Sequence, residues 1–303
     1  RALHFYSRKS INHMRWSGQT GGTTWMQQAL VVLFKYIDIR IIYAIMSIWL
    51  MWYLIVRLSA TKAVYRFHRV RRKRTILQAC IDTYLSYFNF GQAIMDRFAV
   101  YAGYQFNVEV PNMDAFAKLR DGDDGFYVLF THLGNSEMAG YCLATPDKRM
   151  NILMYMGDTE TVMQNRTDSM AKNNLRIIPM VEENMSHIFT INEALDNREI
   201  VAMAVDRMVQ SKSTNCMFMG SKASFPIGPF RICNAIKKPI LMVFVFKTKW
   251  NSYQVQVCPI ENKFAGTKNE QVQSLVQACA STIEQMALQY PYQWFNFYDF
   301  WAA

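Results

Sequence analysis

Short apolar runs alternate with segments of helical spacing from Val108 onward, and this alternation limits the fold more than any other feature of the sequence. The apolar runs are residues 126–130, 152–156, 200–205 and 240–246. The helical segments are residues 136–144, 184–196, 229–236 and 271–290, and a further strand with period-two alternation is predicted at 252–260. Continuous apolar strands separated by helices are typical of parallel sheets that are covered on both faces. We therefore predict an α/β fold with a mostly parallel central sheet flanked by helices.

A long apolar stretch, residues 26–58, precedes this region. Its uncharged part, residues 41–56, is shorter than the roughly 20 residues of a membrane span. Three arrangements stay open, namely an interfacial helix, a buried core helix and a true span. The length favours the first, with Trp49, Trp52 and Tyr53 near the lipid head groups.

Residues 75–102 have helical spacing, although Gly91 could break the helix. We therefore divide the chain into two parts that pack as one domain. Residues 1–107 form a helical, membrane-associating N-terminal layer, and residues 108–303 form the α/β core.

Basic residues exceed acidic residues by 33 to 23, and part of the excess is clustered. The cluster consists of Arg66, Arg69, Arg71, Arg72, Lys73 and Arg74. It could bind nucleic acid, anionic lipid or an acidic carrier protein, or it could be a solvated helix face. Its position beside an apolar segment favours a membrane surface. Because no nucleic-acid-binding signature accompanies it, we predict no nucleic-acid partner.

The six cysteines are far apart and lack the spacing of a zinc site. They are Cys80, Cys142, Cys216, Cys233, Cys258 and Cys279. We predict reduced core thiols and hence a cytosolic location. The two glycosylation sequons, at Asn165 and Asn184, are then accidental.

His132 is the first candidate for chemistry, because it follows the apolar run 126–130 and precedes Glu137 by five residues. Ligands of open α/β sheets bind beyond the carboxyl ends of the strands. If Gly134 makes a turn before a new helix, Glu137 falls in the first turn and could reach back to the imidazole. The glutamate would then orient His132, which would remove a proton from a hydroxyl. A strand-end histidine and a favourable first-turn charge are the alternative, because the spacing alone is a weak pattern.

The chain has no G-x-S-x-G elbow, which favours direct attack of an acceptor on an activated acyl group. Four blocks then carry a family resemblance in the right order: "RWSGQTGGTTWMQQAL", "THLGNSE", "REIVAMAVDRMVQSKSTNCMFMGSKASFPIGPFRICNAIKKPIL" and "YPYQWFNFYDFW". Over most of its length the chain resembles the lysophospholipid acyltransferase superfamily. The resemblance is to the branch of the lipid A late acyltransferases, whose hallmark is H-x4-D/E after a strand.

The resemblance implies an O-acyltransferase with His132 as general base and Glu137 as its orienting partner, without metal or cofactor. A fatty acyl chain would pass from a thioester of acyl carrier protein, or of coenzyme A, to a hydroxyl of a lipid-like acceptor. The enzyme would be peripheral or monotopic on the cytoplasmic face of the bacterial inner membrane. Backbone amides or Arg166 would hold the oxyanion. The residues implied to bind substrate are Asn135, Arg166, Asp206, Arg207, Ser224, Pro226 and Gly228.

Each of these residues also has a plainer interpretation. Arg166 could be a surface arginine, Asp206 a strand-end residue, and the segment around Pro226 a rigid turn before a helix.

Three departures from the family pattern indicate a divergent member. Ser136 replaces the usual tryptophan, Arg207 replaces the glutamine after Asp206, and the C-terminal segment is aromatic where a basic ending is common. The acceptor is therefore open and could differ from a lipid A precursor. Two other functions also stay open, an acyl hydrolase and a non-catalytic lipid-binding or scaffolding protein of the same fold.

Overall fold

The fold is built around a seven-stranded sheet. The computed structural model describes residues 24–143, 145–155, 174–180, 186–208, 212–261 and 265–301. Its strands are β1 (Asn107–Glu109), β2 (Phe126–Phe130), β3 (Met150–Tyr155), β4 (Leu175–Met180), β5 (Ile200–Ala204), β6 (Ser213–Phe218), β7 (Ser221–Pro226), β8 (Ile240–Lys249) and β9 (Ser252–Ile260). The large sheet has the order β1-β9-β8-β2-β5-β3-β4, and β6 and β7 form a separate hairpin. Among the described strands of the large sheet, only β8 and β9 pair antiparallel, so the predicted mostly parallel α/β fold is confirmed.

Helices cover both faces of this sheet and form the N-terminal layer. They are α1 (Thr24–Tyr36), α2 (Ile39–Val56), α3 (Leu58–Arg66), α4 (Ile76–Tyr101), α5 (Met113–Arg120), α6 (Ser136–Leu143), α7 (Ser186–Asp196), α8 (Gly228–Ala235) and α9 (Lys268–Gln289). A π-helical turn, Phe67–Arg71, follows α3. Threonines begin the two longest helices with capping boxes, Thr75 with Gln78 in α4 and Thr267 with Glu270 in α9.

The core lies on both sides of β2 and β5, the neighbouring strands near the middle of the sheet. The first four residues of each strand are buried. Their sequences are apolar without alternation because helices exclude water from both faces. This arrangement places the carboxyl ends of β2 and β5 side by side.

Helix α4 is continuous through Gly91, so the helical spacing of this segment is confirmed and the possible break does not occur. A β-carbon at this position would lie 2.5 Å from Met46 Sδ on α2, which is too close for any real contact. The glycine therefore allows α2 to pack tightly against α4. The predicted division at residue 107 stays a prediction, although β1 begins at Asn107.

The long apolar stretch is divided at Asp38, whose side chain accepts a hydrogen bond from Arg40 N–H at the start of α2. By length and composition, Ile39–Val56 could cross a membrane, but only 22% of it is buried within the protein. This low burial does not fit the buried-core alternative, because a core helix is covered on most sides. The exposed apolar side chains of α2 include Ile41, Ile45, Ile48, Trp49, Met51, Trp52 and Ile55, and those of the first turns of α4 are Ile76, Leu77 and Ile81.

Much of the basic cluster takes part in contacts within the protein. Arg72 Nη1 and Arg74 Nε donate to Asp82 Oδ2 over 2.9 and 2.8 Å. Arg71 lies 4.3 Å from the ring centre of Trp301. Arg69 and Lys73 are exposed. Less positive charge is therefore available to a membrane or an acidic partner than the sequence indicated.

All six cysteines are free, and Cys216, Cys233 and Cys279 are buried. The prediction of core thiols is wrong for Cys80, which is exposed near the start of α4. The asparagines of the two sequons, Asn165 and Asn184, and Arg166 lie outside the described residues.

Candidate active site

His132 and Asp206 occupy equivalent positions beyond two neighbouring parallel strands. The last residues of β2 and β5, Phe130 and Ala204, are paired, and each of the two side chains follows two residues later. His132 Nδ1 lies 2.8 Å from Asp206 Oδ1, and the His132 backbone N–H donates to Asp206 Oδ2 over 2.8 Å. One carboxylate therefore holds both the ring and the backbone of the histidine.

The protonation of this pair suits a base. Burial favours the neutral form of Asp206, but the attraction and hydrogen bonds of His132 outweigh it, and the pKa of Asp206 is lowered. Burial lowers the pKa of His132, and Arg207 adds to this effect while Asp206 opposes it. An ionised carboxylate only accepts hydrogen bonds, so Nδ1 carries the hydrogen and Nε2 carries the lone pair. The lowered pKa of His132 favours the neutral imidazole, the form that can accept a proton at Nε2.

Exposure distinguishes the two side chains. The His132 side chain is 26% exposed, whereas that of Asp206 is 1% exposed. A substrate can thus meet the ring while the carboxylate stays shielded from water. This combination is the one that general base catalysis requires.

The loop after β2 uses its backbone amides to hold its own shape. The N–H groups of Leu133, Gly134 and Asn135 donate to Thr131 Oγ1, Gln293 O and Val245 O over 3.2, 2.7 and 2.7 Å. Because His132 N–H donates to Asp206, four consecutive amides are already engaged. These amides are therefore poor candidates for the expected oxyanion site.

Gly134 has a φ of +77° and lies directly against the backbone of Val245 on β8. A side chain at this position would meet both a strained backbone and a steric clash. The turn expected between His132 and the following helix is thus confirmed, and α6 begins at Ser136.

Glu137 lies in the first turn of α6, as expected, and its side chain is 31% exposed. Its carboxylate accepts hydrogen bonds from Arg97 Nη1, on α4, over 3.1 and 3.3 Å. The carboxylate that contacts His132 Nδ1 is that of Asp206. The negative charge of Glu137 partly offsets the lowering of the His132 pKa. The role of Glu137 in the reaction stays a prediction.

The C-terminal segment, residues 293–301, packs against His132 and Asp206. Phe295 N–H donates to His132 O over 2.9 Å, and Tyr298 Oη donates to Asp206 O over 3.4 Å. Arg207 Nη2 donates to Phe295 O over 2.8 Å. Arg207, expected to bind substrate, therefore also holds the C-terminal segment, and burial lowers its pKa.

The other residues implied to bind substrate have structural contacts. The Asn135 amide is 7% exposed and donates to Tyr253 Oη over 3.1 Å. Ser224 Oγ donates to Asn215 Oδ1 over 2.8 Å across the β6–β7 hairpin. Pro226 is buried at the end of β7, and Gly228 begins α8 with open space beside its α-carbon. Substrate binding by these residues stays a prediction.

Sequence reasoning missed Arg97, which pairs with Glu137, and Tyr298, which contacts Asp206. Arg97 lies 40 residues before Glu137 and matches no motif, so no local signal marks it. Tyr298 lies in the terminal aromatic block, which carries part of the family resemblance, but no residue of this block was singled out as a site residue.

Comparison with known proteins assigns the chain to a family. A comparison with curated proteins gives no match. Residues 70–302 match the family described as bacterial lipid A biosynthesis acyltransferase, which is most of the chain and includes His132, Glu137 and Asp206. The family is membrane-associated in bacteria and transfers acyl groups. The chain therefore belongs to the bacterial lipid A biosynthesis acyltransferase family.

Proposed function

We propose that this protein is a membrane-associated O-acyltransferase that uses His132 as its general base. The observation that carries the proposal is the His132–Asp206 pair, a partly exposed neutral imidazole held by a shielded carboxylate at the carboxyl ends of two strands. Membership of an acyltransferase family supports acyl transfer as the reaction. The donor is an acyl thioester, and acyl carrier protein is its preferred carrier over coenzyme A. The acceptor is a hydroxyl group of a lipid.

The reaction needs one base and no covalent enzyme intermediate. His132 Nε2 takes the proton of the acceptor hydroxyl as the oxygen attacks the thioester carbonyl carbon. The carbon–sulfur bond then breaks, and the imidazolium returns the proton to the leaving sulfur, so that an ester and a free thiol result. Asp206 keeps the ring in the reactive tautomer and stabilises the imidazolium, as a buried carboxylate does beside a catalytic histidine.

Two further groups complete this proposal. Glu137 adds a second negative charge near the ring and so favours the imidazolium. Because the amides of the loop after β2 are engaged, we assign the oxyanion to Arg166, the alternative to backbone amides that the family resemblance implies.

The proposed location is the cytoplasmic face of the bacterial inner membrane, with α2 lying in the lipid interface. The exposed apolar side chains of α2 and of the start of α4 support contact with lipid. Arg69 and Lys73 are exposed nearby and could meet anionic head groups or an acidic carrier protein.

Replacing Ile48 and Trp52 by glutamate tests this orientation, because both side chains are more than half exposed. We expect the variant to float with anionic phospholipid vesicles at least about tenfold less, since the charges cannot enter the apolar part of the interface. Phe189, on α7, is also exposed, and Phe189→Glu is the matched control. Equal flotation of all three proteins would contradict interfacial binding by α2.

The test of the activity is transfer of a radiolabelled acyl group from acyl carrier protein to extracted bacterial membrane lipids. We expect a labelled lipid with the native protein and a loss of about a thousandfold or more with His132→Ala. A parallel reaction with acyl coenzyme A distinguishes the two donors, and release of free fatty acid measures hydrolysis. Equal labelling by native protein and variant, or no transfer with either donor, would overturn the proposal.

A further inference from the structure

Helix α4 of the N-terminal layer contacts the segment that joins His132 to Glu137 at two positions, Asn135 and Glu137. The Asn135 amide donates to Ala93 O over 3.4 Å, one turn before Arg97 donates to Glu137. Asp96, between these positions, accepts a hydrogen bond from Tyr253, whose hydroxyl receives the Asn135 amide. The start of α6 is thus attached to α4 at successive turns.

The Arg97–Glu137 pair differs from an ordinary surface ion pair. Both hydrogen bonds come from one nitrogen, Nη1, to the two oxygens of the carboxylate. The side chains are 15% and 31% exposed, so solvent screens the pair only partly. The arginine therefore fixes the direction in which the carboxylate points, which helix α6 alone does not determine.

We propose that Arg97 is a positioning residue for the reaction, which holds the Glu137 carboxylate in place beside His132. The inference rests on the proposed function, because it matters for catalysis only if Glu137 takes part. It makes the N-terminal layer a part of the active site as well as a membrane-associating element. Truncation to the α/β core would then remove a group that the chemistry needs.

The experiment is a double-mutant cycle with Arg97→Gln, Glu137→Gln and the double variant, assayed with the donor and lipid pool in which the native protein is active. We expect each single variant to lower kcat by about ten- to a hundredfold, and the double variant to be no worse than Glu137→Gln alone. The KM values should change less than kcat, because neither side chain is proposed to bind the substrate tightly.

Arg97→Lys is the rescue variant. A lysine ammonium can replace the single nitrogen that makes both bonds, so we expect it to keep at least about a third of the native kcat. Arg198→Gln is the matched control, because it breaks an Arg–Asp123 pair of 2.8 Å before the amino ends of β2 and β5, opposite the site, and should leave kcat unchanged. Arg97→Lys also keeps the test valid if Arg97→Gln fails to fold, because a lysine variant that folds with kcat as low as Glu137→Gln would overturn the proposal.

The outcomes separate this inference from the proposed function. Native activity in Arg97→Gln with low activity in Glu137→Gln would overturn the positioning role and leave the proposed function intact. Additive losses in the double variant would also overturn it, because the two residues would then act independently. Loss of activity in His132→Ala together with native activity in Glu137→Gln would remove Glu137 from the reaction, and the role of Arg97 with it.

Discussion

Two histidines in the described part of the chain lie beside aspartates, and their surroundings differ. His132 lies 2.8 Å from the carboxylate of Asp206 and is 26% exposed. His68 lies 3.9 Å from the carboxylate of Asp82 and is fully buried. The ring of His68 has partners on both nitrogens, Ser86 Oγ at 2.8 Å and Arg72 Nη1 at 2.9 Å.

The difference shows that an aspartate beside a histidine does not by itself make a catalytic pair. Asp206 gives its two oxygens to His132, and so it controls the tautomer of the ring. Asp82 Oδ2 accepts hydrogen bonds from two arginines, Arg72 and Arg74. Burial lowers the pKa of His68 to about 4. A histidine buried in this way serves the packing of the fold, because no substrate can reach either ring nitrogen.

The largest expected effect comes from exchanging each aspartate for asparagine. Asp206→Asn should lower kcat by about a hundred- to ten-thousandfold, because the amide can hold the ring in the wrong tautomer. Asp82→Asn should keep kcat but lower the free energy of unfolding by about 3 kcal/mol, because Arg72 and Arg74 lose their shared negative charge. Acyl transfer and urea unfolding measure the two effects.

The contrast between His132 and His68 would be wrong if Asp206→Asn left kcat unchanged or if Asp82→Asn lowered it. A stable Asp206→Asn protein with native kcat would show that the carboxylate is not needed to orient His132. A stable Asp82→Asn protein with strongly reduced kcat would show that the His68 network serves the reaction and not only the fold.

A smaller effect is expected in the pH dependence of folding. Burial, and then the charges of Arg72 and Arg74, lower the pKa of His68 to about 4, so the folded state binds a proton less readily than the unfolded state. The contribution of neutral His68 to the free energy of unfolding is therefore fully present above pH 6.5, the ordinary pKa of histidine. It is lost as the pH falls toward 4. In His68→Gln this loss, about 3 kcal/mol, should be absent.

Urea unfolding of native protein and His68→Gln at pH 7 and at pH 4.5 measures this difference. The fall in unfolding free energy between the two pH values should be smaller in the variant by about 2 to 3 kcal/mol. An identical fall in both proteins would mean that His68 is protonated in the folded state, and that the network around it is more open than the contacts indicate.

Much of the sheet could be predicted from the sequence because its central strands are buried on both faces. The run 126–130 coincides with β2, and the alternating run 252–260 coincides with β9. Of the strands that were missed, β1, β6 and β7 lack such runs, and Pro179 interrupts the apolar run of β4. All three residues of β1 are exposed, and exposed residues alternate with more buried ones in the partly polar sequence of β6. The local sequence of neither strand therefore differs from that of a loop.

Local patterns in the sequence place His132 after a buried strand, a turn at Gly134, and Glu137 in the first turn of a helix. These features follow from local periodicity and backbone preference, which a short segment carries on its own. The contact between Asp206 and His132 comes from the tertiary structure, because β5 pairs with β2 although β3 and β4 come between them in the chain. The contacts of Arg97 with Glu137, and of Arg72 and Arg74 with Asp82, likewise depend on how distant elements pack and not on any local pattern.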